Sequence, residues 1–289
     1  MVALTQFQIE KRGRATLWVT RLCADPAFAD VLADLDRLFE RTTCRVIKDQ
    51  RKIKVGRITI KIAGEERALY VKRYNAFSLR YRIFSLIGPS GAVRSLRGAC
   101  VLAEAGIPTA APLAAVEERF FGMLEKSFFV SEEIAGGRTA DAYWAEQLAD
   151  CSGAQGFRRR RTFLQLLASL FRTLHGGEIY HNDLKDANII AVASSNDGAV
   201  KFCLLDLEGV QRCRRLGHRR RVKNIVQIYR TLGTHLSRSQ QLFFLKCYLS
   251  ASYDDGERKR DLIRIILKRA RRIDAVKSRL PDTANRAMG

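Results

Sequence analysis

Uncharged stretches are the first thing this 289-residue chain lacks. No run of eighteen or more residues is free of charge, which argues against a transmembrane helix. The start, MVALTQFQIEKRGRATLWV, carries Glu10, Lys11, Arg12 and Arg14 where an export signal needs an apolar run, so export is not expected. The seven cysteines (Cys23, Cys44, Cys100, Cys151, Cys203, Cys213, Cys247) are odd in number, scattered, and never in C-x-x-C spacing. They give no ground for a zinc site or a disulfide framework and read as small apolar residues in a reducing, cytoplasmic setting. No internal repeat is evident.

Acid is scarce as well. Thirty Asp and Glu face 51 Lys and Arg, a net charge of +21 and a pI near 10.2. Solubility alone asks for a magnitude of only about 2–8 in a small domain. The excess therefore favours an anionic partner: nucleic acid, an acidic membrane face or a phosphorylated substrate. What remains is an ordinary globular composition, 47% hydrophobic and 28% charged, long enough for one large domain or two lobes.

The first part of the chain reads as strand-rich. FQIEKRGRATLWVT turns at Gly13 between two β-prone runs, a hairpin. DPAFADVLADLDRLFE predicts an amphipathic helix, with Asp25 as N-cap, Pro26 at its first position, and Phe28, Val31, Leu32, Leu35 and Leu38 on one face. TCRVIKD, KVGRITIKI and ALYVKRY predict an antiparallel meander. PSGAVRSLRGACVLAEAGIPT predicts a helix stopped at Gly106 with Pro108 behind it, and AAPLAAVEER and KSFFVSEEI predict two further strands. After Ala135–Gly137 the pattern turns helical, interrupted only by the short β-runs NIIAVA and VKFCLLDLE. A β-rich part followed by a helical part predicts an α+β fold in two lobes.

Between the last helical run and NIIAVA lies YHNDLKDANII, residues 180–190, unusually dense in Asp, Asn and Lys. Alone it reads equally as an Asp/Asn-rich surface turn or as a reactive loop. Eighteen residues after Asn188 a strand ends in LLDLEG, which supplies Asp206. Asn188 and Asp206 offer two oxygen ligands from different segments, a set that suits Mg²⁺, which takes few protein ligands beside phosphate oxygens and water. Asp183 is then free to accept the proton of an attacking hydroxyl, and Lys185 to neutralise a transferred phosphoryl group. With Asp206 downstream, the reactive reading gains on the turn. His181 reads as a structural hydrogen-bonding residue; His175, His218 and His235 show no partner pattern.

This is the pattern of a protein-kinase-like catalytic loop and metal aspartate. The runs GEIYHNDLKDANIIAV, FCLLDLEGV and RRRVKNIVQIYRTL resemble the lipopolysaccharide kinase family (Kdo/WaaP type), as do LYVKRYNAF, LAEAGIPTAAPLAAVEER and FFVSEEIAGG upstream. The resemblance spans roughly Cys44 to Leu249, most of the chain, with weak single motifs in the right order. It implies a two-lobed protein-kinase-like fold, a β-rich N-lobe over 1–134 and a mainly helical C-lobe over 135–289, with ATP between them. Lys72 matches the strand lysine that binds the α- and β-phosphates. Asp183 matches the catalytic aspartate, and Asn188 and Asp206 the metal ligands. Glu132 to Ala135, with Glu133 and Ile134 at their centre, match the hinge whose backbone meets adenine. The resemblance further implies phosphorylation of an inner-core sugar, a Kdo or a heptose, of an anionic glycolipid (lipopolysaccharide or lipid A core), at the cytoplasmic face of the inner membrane.

Departures from the kinase pattern carry their own expectations. DLEG stands where D-F-G is usual, and Asn182 where an arginine usually precedes the catalytic aspartate. Activity independent of activation-loop phosphorylation is expected. No glycine-rich phosphate loop is present: VIKDQRKIKVGRI holds only Gly56, and its Lys48, Arg51, Lys52 and Lys54 either touch phosphates or decorate a solvated hairpin tip. Between Phe84 and Pro112 the only acidic residue is Glu104, which is nominated as the partner of Lys72 although it falls late in its helix.

The arginine runs at Arg158–Arg161 and Arg212–Lys223 are solvated faces or anion sites. The second follows Asp206 closely and is favoured for an anionic sugar or head group. The C-terminal RKRDLIRIILKRARRIDAVKSRL, with Leu262, Ile266 and Ile273 on one side, either lies on an acidic membrane surface or packs against its own lobe. No nucleic-acid-reading module is evident, and oligomeric state is not legible. Phosphorylation of another acceptor, a protein or an aminoglycoside-like molecule, and a membrane-bound pseudokinase scaffold remain the alternatives.

Overall fold

The alternation in Ile58, Ile60 and Ile62, with Thr59 and Lys61 turned outward, makes one strand, and the opposite alternation in Leu69 and Val71 makes its partner. In the computed structural model, which describes residues 7–20, 28, 31–32, 34–62, 64–193 and 200–278, these are β4 and β5 of a seven-stranded antiparallel sheet. Its strands are β1 (Phe7–Arg12), β2 (Ala15–Thr20), β3 (Arg45–Asp49), β4 (Ile53–Ile62), β5 (Glu65–Asn75), β6 (Pro112–Phe120) and β7 (Met123–Glu132), in the order β1-β2-β6-β7-β5-β4-β3. The hairpin at Gly13 and the β3-β4-β5 meander form as expected.

One face of the sheet packs on Phe28, Leu32, Leu35 and Leu38. These residues belong to the predicted amphipathic helix, whose N-cap Asp25 and Pro26 lie outside the described residues. Its end is not α-helical: residues 34–36 turn, and Arg37–Glu40 form a 3-10 helix. Gly56 of β4 serves this packing, since a Cβ there would meet Cys44 Sγ at 2.8 Å and Phe39 at 3.0 Å. The hairpin cations find local partners as well: Arg51 donates to the carbonyl of Phe77, Lys52 lies over the Phe77 ring, and Lys54 pairs with Asp49.

A short helix, α1 (Leu79–Phe84), precedes α2 (Gly91–Glu104). Ser90 caps α2 by accepting from the Val93 N–H, and its own N–H donates to buried Glu117. Gly106, at φ +67°, ends α2 where the sequence places the stop.

The chain forms two compact units: residues 1–135 with 204–211, and residues 136–203 with 212–289. The second unit is mainly helical, with α3 (Ala140–Gln147), α4 (Gly153–Gly176), α5 (His218–Arg230), α6 (Arg238–Leu249) and α7 (Gly256–Lys277). Short strands β8 (Arg138–Thr139), β9 (Ile179–His181), β10 (Ile189–Ala193) and β11 (Val200–Leu204) accompany them, with β10 between β8 and β11. Tyr143, Trp144 and Phe202 pack on the ring of Phe163. On α7, Leu262, Ile266 and Ala270 are buried while Ile273 is exposed, so two of the three residues that the sequence sets on the apolar side are used for packing. Among the described residues no helix is long and apolar enough to cross a membrane.

Candidate active site

Strand parity places the first group of residues. Leu69 and Val71 enter the core on one face of β5, which turns Tyr70, Lys72 and Tyr74 to the other. Tyr74 is buried, and its hydroxyl shares a 2.7 Å hydrogen bond with Ser95 of α2. Burial pushes that hydroxyl up to about 12. The Lys72 ammonium lies 5.1 Å from the Tyr74 ring centroid and 2.5 Å from Asp206 Oδ1. Burial works against its charge, but the adjoining Tyr74 and Asp206 oxygens outweigh that and hold its pKa above the ordinary lysine range.

Asp206 has φ +55° and ψ +58°, a left-handed conformation uncommon outside glycine, and a 3-10 turn (Leu207–Gly209) follows it. This D-L-E-G turn is fastened to α2. Glu208 forms an ion pair with Arg94, and Gly98 lets the Leu207 carbonyl approach so closely that a Cβ would lie 2.3 Å from its oxygen. Neither Arg94 nor Gly98 is legible as a site residue in the sequence. Glu104, the nominated partner of Lys72, is the exposed last residue of α2; the carboxylate at Lys72 is that of Asp206.

The expected hinge residues begin at the last residue of β7, Glu132. The Glu132 N–H donates to the Ala111 carbonyl and the Glu133 N–H to Ala68. The Glu133 carboxylate takes two hydrogen bonds from Arg57, at 2.8 and 2.6 Å, which hold it below the usual carboxylate range. Ile134 comes next and is half-buried.

In the second unit, Asp183, Lys185 and Asn188 come together. Asn188 Nδ2 donates to the Asp183 carbonyl at 2.7 Å and to its Oδ2 at 3.1 Å, and Lys185 Nζ lies 3.2 Å from the same Oδ2. Gln227 Nε2 reaches Asp183 Oδ1 at 3.4 Å and the Asn182 carbonyl at 2.9 Å. Fully buried His181 accepts from the Asp183 N–H through Nδ1, in keeping with a structural role.

The scaffold under this loop is a polar stripe on α5 that sequence reasoning missed. Gln227 Oε1 accepts from the Leu184 N–H, Thr231 accepts from the Asp186 N–H, and Asn224 Nδ2 donates to both the His181 carbonyl and Gln227 Oε1. Asn224 and Gln227 lie three residues apart on one face of α5 and Thr231 follows at its C-terminal end; amides at that spacing among cations and β-branched apolar residues are the signal that could have found them. His175 continues the network. Asn224 uses its amide nitrogen elsewhere, so its Oδ1 faces His175 Nε2, which carries the proton, and Nδ1 accepts from the Tyr248 hydroxyl at 2.8 Å. Burial lowers the imidazole to about 4.

Asn182, where an arginine is usual, is not without a cation: Lys223 Nζ lies 2.9 Å from its Oδ1, which also accepts from the Tyr180 hydroxyl.

Among solved structures, one described as WaaP in complex with acyl carrier protein matches with a TM-score of 0.63 at 18% identity, over 86% of this chain and 97% of that one. No curated protein matches. The model of the lipopolysaccharide kinase (Kdo/WaaP) family matches residues 37–248. That match takes in Lys72, Asp183, Asn188 and Asp206 together with the α5 stripe beneath the loop, and the chain belongs to the lipopolysaccharide kinase (Kdo/WaaP) family.

Proposed function

We propose that the protein is an ATP- and Mg²⁺-dependent kinase that transfers the γ-phosphoryl group to a hydroxyl of an inner-core sugar, a Kdo or a heptose, of lipopolysaccharide. Membership of a lipopolysaccharide kinase family makes it a phosphotransferase of this broad kind. The observation that carries the finer reading is the state of Asp183. Its carboxylate is oriented from three sides, by Asn188, Lys185 and Gln227.

In this reading Asp183 receives the proton of the acceptor hydroxyl as the new P–O bond forms and the bond from the γ-phosphorus to the bridging oxygen of ADP breaks. Lys185, beside it, offsets charge on the group in transfer. Lys72 holds the α- and β-phosphates, and the backbone of Glu133 and Ile134 meets adenine. Glu104, at the exposed end of α2, has no catalytic part in this scheme.

In this reading Asn188 and Asp206 would each offer an oxygen to a hard divalent cation. Asn188 turns its amide nitrogen to Asp183, which leaves its carbonyl oxygen as the donor, and Asp206 contributes a carboxylate. Bound there, Mg²⁺ would neutralise phosphate charge.

Mass analysis of the core oligosaccharide from cells carrying the wild type or Asp183→Ala tests the reading. One phosphate fewer is expected in the variant. An unchanged phosphate count rejects a core-sugar kinase, and purified protein with no ATP turnover sensitive to Asp183→Ala or Asp206→Ala would point to a scaffold instead.

A further inference from the structure

The basic run Arg212–Lys223 is not uniform once folded. Arg221 is committed to the fold: its guanidinium bonds the Leu216 carbonyl at 3.0 Å and lies 3.2 Å from Glu178 Oε1. Arg220 and Lys223 are different. Both are exposed, they stand three residues apart on α5, and both lie over the ring of buried Tyr180, at 5.0 and 5.6 Å from its centroid. Their hydrogen-bond partners are the Cys213 sulfur for Arg220 and the Asn182 amide oxygen for Lys223. Neither forms an ion pair with a carboxylate among the described residues, and the first turn of α5 contains no acidic residue.

Two like charges three residues apart on a helix repel. A single aromatic face returns only about 0.5–1 kcal/mol per exposed cation. Two cations on one ring thus keep most of their charge for something else, and an anion placed against them would relieve the repulsion. The pair also has a fixed address. Lys223 and the Tyr180 hydroxyl both meet Asn182, the residue before Asp183.

We propose that Arg220 and Lys223, mounted on Tyr180 beside Asn182, form a subsite that grips an oxyanion of the acceptor and so brings its hydroxyl to Asp183. The inference rests on the kinase reading for its catalytic meaning. The ligand chemistry is a carboxylate or phosphate on a sugar; a Kdo carboxylate and a phosphate already carried by a neighbouring core sugar are its two sources. A neutral acceptor would leave the cations uncompensated, which gives the site a basis for discrimination. The subsite also accounts for Asn182, whose amide oxygen holds Lys223 in place where an arginine would have repelled it.

The test is calorimetric binding of core oligosaccharide released from lipopolysaccharide, in native, carboxyl-reduced and dephosphorylated forms. Wild type is compared with Arg220→Gln and with Arg220→Gln/Lys223→Gln. The single variant leaves the Asn182 contact intact, and circular dichroism checks the fold of each. The native oligosaccharide should bind the double variant at least tenfold more weakly, with an intermediate loss for Arg220→Gln. The form that lacks the gripped group should bind wild type as weakly as the double variant does, which identifies carboxylate or phosphate as the source. Native oligosaccharide binding wild type and double variant alike overturns the proposal, as does an equal loss on substitution for all three forms. Phosphate transfer to lipopolysaccharide, measured in parallel, separates the two ideas. Absent transfer by wild type with the binding pattern intact rejects the kinase reading and keeps the subsite; transfer with binding unmoved by substitution rejects the subsite alone.

Discussion

At Asp183 each carboxylate oxygen is held by a donor from a different side chain: Oδ2 by Asn188 and Lys185, Oδ1 by Gln227. Such a group is oriented before a substrate arrives, which is what a proton acceptor in transfer chemistry requires. Asp183→Asn keeps the shape and removes the proton acceptor, so phosphate transfer should fall by about 10²–10⁴-fold, while nucleotide affinity, measured by fluorescence titration, changes little. A variant retaining wild-type transfer would remove Asp183 from its proposed role. Asp183 and Asn188 stand out in the sequence because dense polar groups between apolar runs demand a reason, Asp206 because it closes the strand that follows, and Lys72 only through the family resemblance. Gln227, which touches the same carboxylate, does not, because one amide in a helix rich in arginine and lysine looks like any surface residue until its neighbours are known. Arg220 and Lys223 were visible only as part of a charge run, and folding alone separated them from Arg221.

The element that links β5 to the D-L-E-G turn is α2, and its logic runs through small residues. Tyr74 reaches Ser95, Arg94 meets Glu208, and Gly98 admits the Leu207 carbonyl. The helix therefore fixes the turn that carries Asp206, while the lysine is held by Asp206 directly. Periodicity in the sequence located α2 and its stop at Gly106. Glu104 is the only acidic residue of that helix, but the carboxylate that meets Lys72 comes from Asp206 in the turn after β11. Gly98→Ala tests the fastening. A Cβ 2.3 Å from a backbone oxygen forces either the helix or the turn to shift, and strain of this kind costs about 1–3 kcal/mol. The expected result is a drop in turnover of tenfold or more with a raised KM for ATP and a nearly unchanged far-ultraviolet spectrum. Wild-type kinetics in this variant would mean that the turn tolerates displacement and that α2 does not position Asp206.

Stability of the whole molecule carries a pH signature that starts from one imidazole. His175 is 1% exposed and lowered to about 4 by burial, between Tyr248 and Asn224. Its ordinary value is about 6.5, so the unfolded chain takes up this proton before the folded one does. Stability is therefore greatest above about pH 6.5 and falls as pH drops toward 4, the direction in which unfolding binds protons. For these two values the loss between pH 7.5 and pH 5 is about 2 kcal/mol. Glu117 and Glu133, both lowered in the fold, act in the same sense, but in the carboxylate range below most of this window. The net charge of +21 adds self-repulsion as acid groups are neutralised, again at the acid end. Urea unfolding at intervals from pH 7.5 to pH 5 should show the midpoint falling steadily, and His175→Gln, although less stable at pH 7.5, should lose most of that slope. The network ties His175 through Asn224 to Gln227 and the Asp183 loop; because folded His175 stays neutral until the pH nears 4, this histidine should leave transfer activity unchanged over the interval in which stability falls. A flat stability profile in the wild type, or a slope kept in full by His175→Gln, would place the titration elsewhere and detach this buried histidine from the loop it underlies.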